Sequence, residues 1–429
     1  MDTTINKSKL FYAACISLVV TAMTFAVRAG ILTELSETFA LTETELGWVN
    51  SMAFLGFPIA MIIGGLLYNQ VGPKLMMYAA FICHVLGLVL TITAGGFLGL
   101  LISTFFIGFA NGCVEAACNP LIADMYHENQ TTMLNKFHVW FPGGIVIGSL
   151  TAGAMEGMNW QYQIAVMLIP TLVYGYMVFT SKFPAIEHIE NDTGKNIAGI
   201  FNPLFIFMAI CMTLTATSEF GTTQWVDRIL GKAGANPMLI LALVTGVMAV
   251  GRYFAGGLVH RLNPSGVLWA SAIVTTIGIY MLSISTGGMV YVAAFLFAAG
   301  ICYFWPTMIG FTAENIPQSG ALGMSLIGGA GMFAMSIWNP IIGSWLDKNR
   351  MAELGISGES ALAELEKFRE ALAANDVQSN AAELAAGQAT LGDLAVFPAI
   401  LIVLFGGLYF YMRNRHTPPE VADDTVLDA

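Results

Sequence analysis

Five ionisable residues lie within long apolar runs of the sequence, where a charge is costly unless it is paired or used. They are Arg28, Glu115, His138, Glu219 and Arg252. Ionisable groups at membrane depth usually face the interior of a helix bundle or a wet cavity, and they mark ion and substrate pathways. Carboxylates can also titrate once they are desolvated. These residue types therefore predict proton exchange and the binding of a polar substrate within a membrane.

Glu115 has an amide one helical turn away on each side, Asn111 and Asn119, in the run FANGCVEAACNP. Positions i, i+4 and i+8 share one face of a helix. The spacing predicts a polar stripe on a central cavity, where a carboxylate and amides supply paired acceptors and donors. The alternative is a purely structural hydrogen bond between helices. An adjacent stripe of small residues permits close helix packing: Gly108, Gly112 and Ala116.

Glu219 is followed by Gln224 and Trp225 in the polar stretch TSEFGTTQWV. An aromatic ring can stack on the apolar face of a ring-shaped substrate while its neighbours bond the hydroxyl groups. We therefore predict that all three residues contact substrate. Three further tryptophans are candidate platforms, with ordinary packing or anchoring at the membrane surface as the alternative: Trp140, Trp305 and Trp338.

The remaining charged groups receive narrower predictions. His138 follows Asn135 by three residues, and it is either a ligand and proton relay or a satisfied structural histidine. Arg252 stands in VGRYFAGG near the end of an apolar run, which favours gating or helix-end pairing over substrate contact. Arg28, in AVRAGIL, needs an acidic partner, because an unpaired arginine at that depth costs at least about 2.5 kcal/mol.

The elements that position these residues are predicted to be membrane helices. The chain has 429 residues, of which 56% are hydrophobic and 10% charged, whereas soluble proteins average about 25% charged residues. Twelve runs reach the length of about 20 residues that a span requires. The sequence therefore predicts an all-α membrane protein of twelve transmembrane helices in two six-helix, pseudo-symmetric halves.

Polar segments divide the twelve runs. The predicted parts are an N-terminal half (1–180), a cytoplasmic linker (181–200), a C-terminal half (201–413) and a tail (414–429). An insertion at 347–391 contains ESALAELEKFREALAA, which predicts an amphipathic helix on the external surface, with a lid or docking element as the alternative. The placement of Lys and Arg predicts that both termini are cytoplasmic.

The motifs and the distribution of charged residues in the sequence exclude several classes of function. Basic residues form no cluster for nucleic acid, and neither a P-loop nor a dinucleotide fingerprint is present. The six cysteines fall in apolar runs without metal-ligand spacing, as expected of small buried side chains. We expect no enzymatic activity, cofactor or metal. The predicted partners are the lipid bilayer, protons and a small molecule, so that an ion gradient drives transport.

Two loops at equivalent places are similar, GLLYNQVGPK (65–74) and GGLVHRLNPS (256–265). Both resemble, in degenerate form, the G-x-L-x-D-R-x-G-R-R motif between spans two and three of the major facilitator superfamily. Further segments resemble signatures of its fucose–glucose–galactose proton symporter family: GCVEAACNP (112–120), LNKFHVWFPGGIVIG (134–148), TSEFGTTQWV (217–226) and YFWPTMIG (303–310).

This resemblance implies proton-coupled symport of a monosaccharide by alternating access, in the cell inner membrane. The polar stripes around Glu115 and Glu219 are the predicted substrate contacts, and these two carboxylates are the predicted proton sites. The chain departs from the family at Arg28, where fucose-permease-like members carry an acid. Since the resemblance implies that spans one and four adjoin, Glu115 is the expected acidic partner of Arg28. A carrier of sugar acids or other organic anions, with Arg28 binding the carboxylate, is the alternative. A receptor or drug exporter is a third class, although an exporter would have a more apolar cavity.

The repeat also relates two of the charges. Arg28 precedes Gly65 by 65 − 28 = 37 residues, and Glu219 precedes Gly256 by 256 − 219 = 37 residues. The two residues therefore occupy equivalent positions on spans one and seven. We expect them to point into the central cavity from opposite sides at similar depth.

Overall fold

Long apolar helices make up nearly all of the part of the chain that the computed structural model describes, which is residues 5–126, 133, 136–184, 199–355, 367 and 377–413. Eleven segments are long and apolar enough to cross a membrane, and one shorter apolar helix makes a twelfth. Numbered one to twelve, the spans are Lys7–Gly30, Glu43–Tyr68, Gln70–Ile92, Phe97–Ile122, Lys136–Ala154, Trp160–Phe179, Pro203–Thr223, Pro237–Tyr253, Leu262–Ile284, Met289–Thr312, Ser325–Glu353 and Ser379–Arg413. The predicted all-α membrane fold is confirmed.

Several helices extend beyond these spans or are interrupted within them. Spans six, ten and twelve each consist of two helices. Short helices follow spans one and seven. The bounds are Leu32–Phe39, Phe97–Met125, Trp160–Val166, Leu168–Phe179, Val226–Leu230, Ala255–Ile284, Met289–Ile301, Phe304–Asn315, Gly320–Glu353, Val377–Leu394 and Val396–Arg413.

Local sequence explains where the spans begin. Thr42 starts span two with a capping box: its hydroxyl accepts from the Glu45 amide, and the Glu45 carboxylate accepts from the Thr42 amide. Spans seven and eight each begin with an asparagine cap followed by proline, at Asn202 and Asn236. Proline suits the first helical position because the amide it lacks would have no intrahelical partner there.

The backbone repeats the predicted internal symmetry. Gly72, between spans two and three, has φ 75° and ψ 163°. Asn263, before span nine, has φ 54° and ψ 164°. Each is followed by proline, and they are separated by 263 − 72 = 191 residues. Arg28 and Glu219 are separated by the same number, 219 − 28 = 191, so the repeat that relates them is present in the backbone.

The two halves meet mainly through spans two and eleven and through spans five and eight. Because successive spans run in opposite directions, the start of span one and the end of span twelve lie at one end of the bundle, here called the terminal end. Span two begins at the other end, here called the Glu43 end. Apolar side chains exposed around the bundle provide a surface suited to lipid, among them Leu98, Ile169 and Val403.

The predicted insertion at 347–391 is partly helical in the structure. The helix of span eleven continues to Glu353, and that of span twelve begins at Val377, before the predicted 392. Ala386 and Leu391 of this extension are buried. Its polar residues placed it within the predicted external insertion, but these side chains pack inward. The predicted amphipathic helix and the tail at 414–429 lie outside the described residues, as does most of the linker.

Candidate functional site

A hydrogen-bonded row of three side chains lines the N-terminal half. Asn119 Nδ2 donates to Glu115 Oε2 at 2.8 Å, and His138 Nε2 lies 3.0 Å from Asn119 Oδ1. Since the amide oxygen can only accept, Nε2 carries the histidine proton. Glu115 is largely buried, Asn119 is partly buried and His138 is exposed. The row thus runs from the bundle interior to accessible space, as a cavity wall would.

Asn111, the third member of the predicted stripe, faces a different environment. Its Oδ1 lies 2.8 Å from His84 Nε2, and its Nδ2 donates to Thr24 Oγ1 at 3.0 Å. The other ring nitrogen of His84 lies 2.8 Å from the Tyr174 hydroxyl. Asn111 and His84 are both fully buried. This leaves Asn111 no surface for the predicted substrate contact, and its role here is to connect helices.

Sequence reasoning missed His84 altogether. It lies in the apolar segment FICHVLGL (81–88), where no polar neighbour marks it. An unmatched histidine in such a run is the available signal, because a buried polar group requires hydrogen-bond partners.

The C-terminal half contributes Glu219 and Trp305. Glu219 is 7% exposed, and its charge interacts with that of Arg252 on span eight. No side chain in the described part of the chain donates a hydrogen bond to its carboxylate. The Trp305 ring lies edge-on to Phe220, with ring centroids 6.2 Å apart. An acceptor and an aromatic surface therefore stand together on this half.

Arg28 is buried without a carboxylate. Its Nη2 donates to Gln224 Oε1 at 3.0 Å, and its guanidinium lies 5.3 Å and 5.9 Å from the ring centroids of Phe25 and Phe54. Its buried Nε has no hydrogen-bond partner in the part of the chain that the structure describes. Among the described residues, the carboxylates in ion pairs are Glu43 and Glu383, and neither pairs with Arg28. Arg28 is therefore a cation with spare hydrogen-bonding capacity.

The expected pair between Arg28 and Glu115 is absent, and helix register explains why. Spans one and four run in opposite directions and touch where Thr24 bonds Asn111. Arg28 lies four residues from this contact toward the Glu43 end, and Glu115 lies four residues from it toward the terminal end. At 1.5 Å per residue, their backbones differ by about 12 Å in depth.

Arg28 and Glu219 also do not pair in this conformation, although both are buried and neither faces lipid. Spans one and seven run in the same direction, and Arg28 reaches Gln224, five residues beyond Glu219. Glu219 therefore lies about 7 Å nearer the terminal end than Gln224. The arginine side chain thus extends toward the Glu43 end, and the similar depth of the two backbone positions stays a prediction.

Trp225 is wholly buried, and its Nε1 donates to Asn339 Oδ1 on span eleven at 3.0 Å. In this arrangement it offers no surface for the predicted stacking on substrate. Trp338 packs against Trp345 and Phe397. Of the candidate platforms, Trp305 is the one placed beside the Glu219 region.

A buried ionic cluster closes the Glu43 end. Glu43 Oε1 accepts from Arg228 Nε at 2.9 Å, from Arg228 Nη2 and from Arg350 Nη1. Arg350 Nη2 donates to Glu383 Oε1 at 3.0 Å. Glu43 belongs to the N-terminal half, whereas the other three residues belong to the C-terminal half. We call these four residues the Glu43 cluster.

Two further carboxylates join the halves near this cluster. Asp347 on span eleven accepts from the Glu43 amide at 3.1 Å and from the Thr44 amide at 2.9 Å, so it caps span two from the opposite half. Thr33 donates to Asp227 at 2.5 Å. Burial opposes the Arg228 charge, but Glu43 outweighs that effect and raises the pKa of Arg228. The closed end is thus stabilised electrostatically.

Small residues bring the backbones of spans two and eleven into contact next to the Glu43 cluster, on its side toward the terminal end. A Cβ at Gly343 would lie 2.1 Å from the Glu43 carbonyl oxygen, and one at Gly47 would lie 2.5 Å from that of Asn339. Ser51 donates to the Ser336 carbonyl in the same interface. Closer to the terminal end, Phe220 packs on Phe25 and Phe54. The described hydrogen bonds and ion pairs between the halves all lie on the Glu43 side of the bundle.

Comparisons with known proteins agree with this architecture. The model of the Major Facilitator Superfamily matches residues 14–350. The L-fucose-proton symporter of Escherichia coli is 22% identical over 343 residues, covering 69% of this chain and 78% of that protein. The facilitated glucose transporter member 10 of Xenopus tropicalis is 25% identical over 200 residues, covering 44% of this chain and 36% of that protein. The match therefore spans about a third of that relative's length.

A solved structure shares the fold over nearly the whole chain. It is a bacterial homologue of the human lysosomal transporter Spinster, in an inward-facing and unoccupied conformation. The TM-score is 0.79 at 14% identity, covering 96% of this chain and 98% of that one.

Proposed function

The chain belongs to the Major Facilitator Superfamily, and we propose that it is a proton-coupled symporter of a monosaccharide. Membership makes it an integral, multi-pass transporter rather than an enzyme. The observation that carries the proposal is the row formed by Glu115, Asn119 and His138, which presents hydroxyl-binding groups and a titratable carboxylate on one wall. The similarity to the L-fucose-proton symporter supports the same class of cargo and coupling ion.

The proposed binding site lies between the two halves, near mid-membrane. Glu115, Asn119 and His138 bind hydroxyl groups from the N-terminal half. Glu219 accepts from the substrate on the opposite side, and Trp305 supplies the stacking surface. Glu115 and Glu219 are the proton-coupling groups. Arg28 and Gln224 lie on the side of the binding site that faces the Glu43 end, and they contact substrate from that side.

We place this protein in the cell inner membrane with both termini cytoplasmic, so that the terminal end faces inward and the Glu43 end faces outward. In that orientation the described conformation is closed to the outside by the Glu43 cluster. Transport requires the cluster to separate, so that the two halves rock about the central site.

The alternative cargo is a sugar acid or another organic anion. The observation that favours it is Arg28, whose charge has no carboxylate partner among the described residues and whose Nε has no hydrogen-bond partner. A substrate carboxylate would supply the missing charge and acceptor.

Uptake into proteoliposomes under an imposed pH gradient tests both proposals. We expect accumulation of a neutral hexose that a protonophore abolishes, and loss of accumulation in Glu115→Gln with exchange retained. Glu37→Gln, which removes an exposed carboxylate, is the matched control. Uptake of uronates but not hexoses would establish the alternative. Uptake indifferent to both the gradient and the protonophore would contradict proton coupling.

A further inference from the structure

Span ten is interrupted beside the proposed binding site. One helix ends at Ile301 and the next begins at Phe304. Pro306 explains the break, because proline has no amide hydrogen and cannot bond the carbonyl four residues earlier. That carbonyl belongs to Cys302. The sequence thus creates a buried acceptor that the helix itself cannot satisfy.

A side chain from span eight satisfies this acceptor. Arg252 Nε donates to the Cys302 carbonyl oxygen at 3.0 Å. The Tyr303 hydroxyl donates back to the Gly251 carbonyl at 3.3 Å. A Cβ at Gly251 would lie 2.6 Å from Cys302 Sγ, so a larger residue there would require the Cys302 side chain to shift. Spans eight and ten are therefore fastened together at the break.

The break is followed at once by Trp305. Its ring packs against Phe220, and a Cβ at Gly331 on span eleven would lie 3.2 Å from it. The Trp305 side chain projects from the turn between Cys302 and Pro306. The direction of this ring therefore depends on how the turn is held.

Arg252 also interacts with the charge of Glu219, the residue before Phe220 on span seven. The guanidinium therefore has one hydrogen-bond acceptor here, the Cys302 carbonyl on span ten, and a longer-range charge interaction with Glu219 on span seven. Arginine suits this position because it can donate a hydrogen bond to the carbonyl while keeping a positive charge that acts on Glu219.

We propose that Arg252 is a positioning residue that holds the proline break of span ten and thereby fixes Trp305 as the stacking surface for substrate. The proposal rests on the proposed function in one respect, that Trp305 contacts the substrate. It assigns Arg252 a structural task at the site, distinct from gating by charge at the terminal end. Substrate affinity should depend on the hydrogen bond from Arg252 to the Cys302 carbonyl, because this bond fixes the orientation of Trp305.

The test is a comparison of Arg252→Met in two backgrounds. In the natural chain we expect the KM for uptake to rise about tenfold, since the buried Cys302 carbonyl loses its donor and Trp305 is no longer held in place. In the Pro306→Ala background the new backbone amide can bond the Cys302 carbonyl. There we expect Arg252→Met to change KM by less than about threefold.

A matched control uses the proline of span eleven. Pro340 frees the Ser336 carbonyl, which accepts from Ser51 rather than from Arg252. In the Pro340→Ala background, Arg252→Met should therefore retain its full effect. Arg252→Gln, which keeps a donor without the charge, should raise KM less than Arg252→Met does. An equal loss in the Pro306→Ala background, or equal losses for Gln and Met, would overturn the proposal.

A second measurement needs no substrate, so failure of the proposed function cannot obscure the result. The Thr307 amide bonds the Tyr303 carbonyl in the turn after the break. We expect Arg252→Met to accelerate hydrogen exchange in the peptide 302–310 about tenfold, because local opening of this turn becomes easier. Pro306→Ala should remove that acceleration. Unchanged exchange in Arg252→Met would overturn the proposal even if uptake were lost.

Discussion

Glu43 and Arg350 are hydrogen-bonded to each other across the two halves, although 307 residues separate them in the sequence. Arg228 donates to the same carboxylate oxygen. Both arginines are in the C-terminal half, together with Glu383, so separation of the halves removes only Glu43 from the cluster. Glu383 contacts both arginines, so they would keep a carboxylate partner after Glu43 had left.

Glu43→Gln should open the Glu43 end. Removing one partner of a buried ion pair costs about 3–5 kcal/mol, because the other charges remain buried. We expect a cysteine introduced by Ser51→Cys, at a buried position under the cluster, to react at least about tenfold faster with a membrane-impermeant thiol reagent. Glu37→Gln, an exposed carboxylate at the same end, should leave the rate unchanged. Equal rates in both variants would show that the cluster does not hold this end closed.

Gly343→Ala should prevent the same closure for a steric reason. The added methyl would lie 2.1 Å from the Glu43 carbonyl oxygen, where no adjustment of a flexible side chain can relieve the clash. We expect uptake to fall and labelling of the Ser51→Cys position to increase. Gly392→Ala provides the control, because nothing lies within 4 Å of its Cβ. Normal uptake by Gly343→Ala would mean that spans two and eleven need not approach this closely.

Closure should become more favourable as the pH at the Glu43 end falls. Burial raises the pKa of Asp227 above its ordinary value of 3.8, an effect that outweighs the Thr33 hydrogen bond and the Arg228 charge. Opening would return the carboxyl group to water. Between the two pKa values the closed form therefore binds more protons, so protonation favours closure.

Spin labels at the exposed positions of Glu37 and Lys348, one on each half, can measure this effect by distance. We expect the short-distance population to grow as the pH is lowered through the raised pKa of Asp227. Asp227→Asn should reduce that growth, since the titrating group is gone while an acceptor for Thr33 remains. A pH response identical in the variant would assign the effect to other carboxyl groups, such as Glu34, whose pKa is also raised by burial.

His84→Leu should weaken the fold without removing the binding site. The change leaves the buried Asn111 oxygen and the Tyr174 hydroxyl without their partner, at a cost of about 1–3 kcal/mol. Thermal unfolding in detergent should show a lower Tm, while the KM for substrate stays within about threefold. Cys83→Ala alters the neighbouring residue, for which no hydrogen bond is seen, and should have a smaller effect. An unchanged Tm would show that the network carries no net stability.

The sequence alone determined the membrane fold, because span length and apolar composition are local properties of each segment. It also determined the repeat: the shared offset of 191 residues relates Arg28 to Glu219 and reappears in the backbone at Gly72 and Asn263. The neighbours Glu115 and Asn119 were predictable together for the same reason, since helical spacing fixes which residues share a face.

Only the tertiary structure decided which groups become partners. Glu115 and Arg28 are on adjacent spans, yet the register set by Thr24 and Asn111 keeps them apart. Nothing in the local sequence marked Glu43 and Arg350 for a shared role, because each is one of several polar residues near the end of a span. Pairing across the bundle depends on the rotation and register of helices packed far apart in the chain. Hydropathy and spacing within one helix contain no information about either quantity.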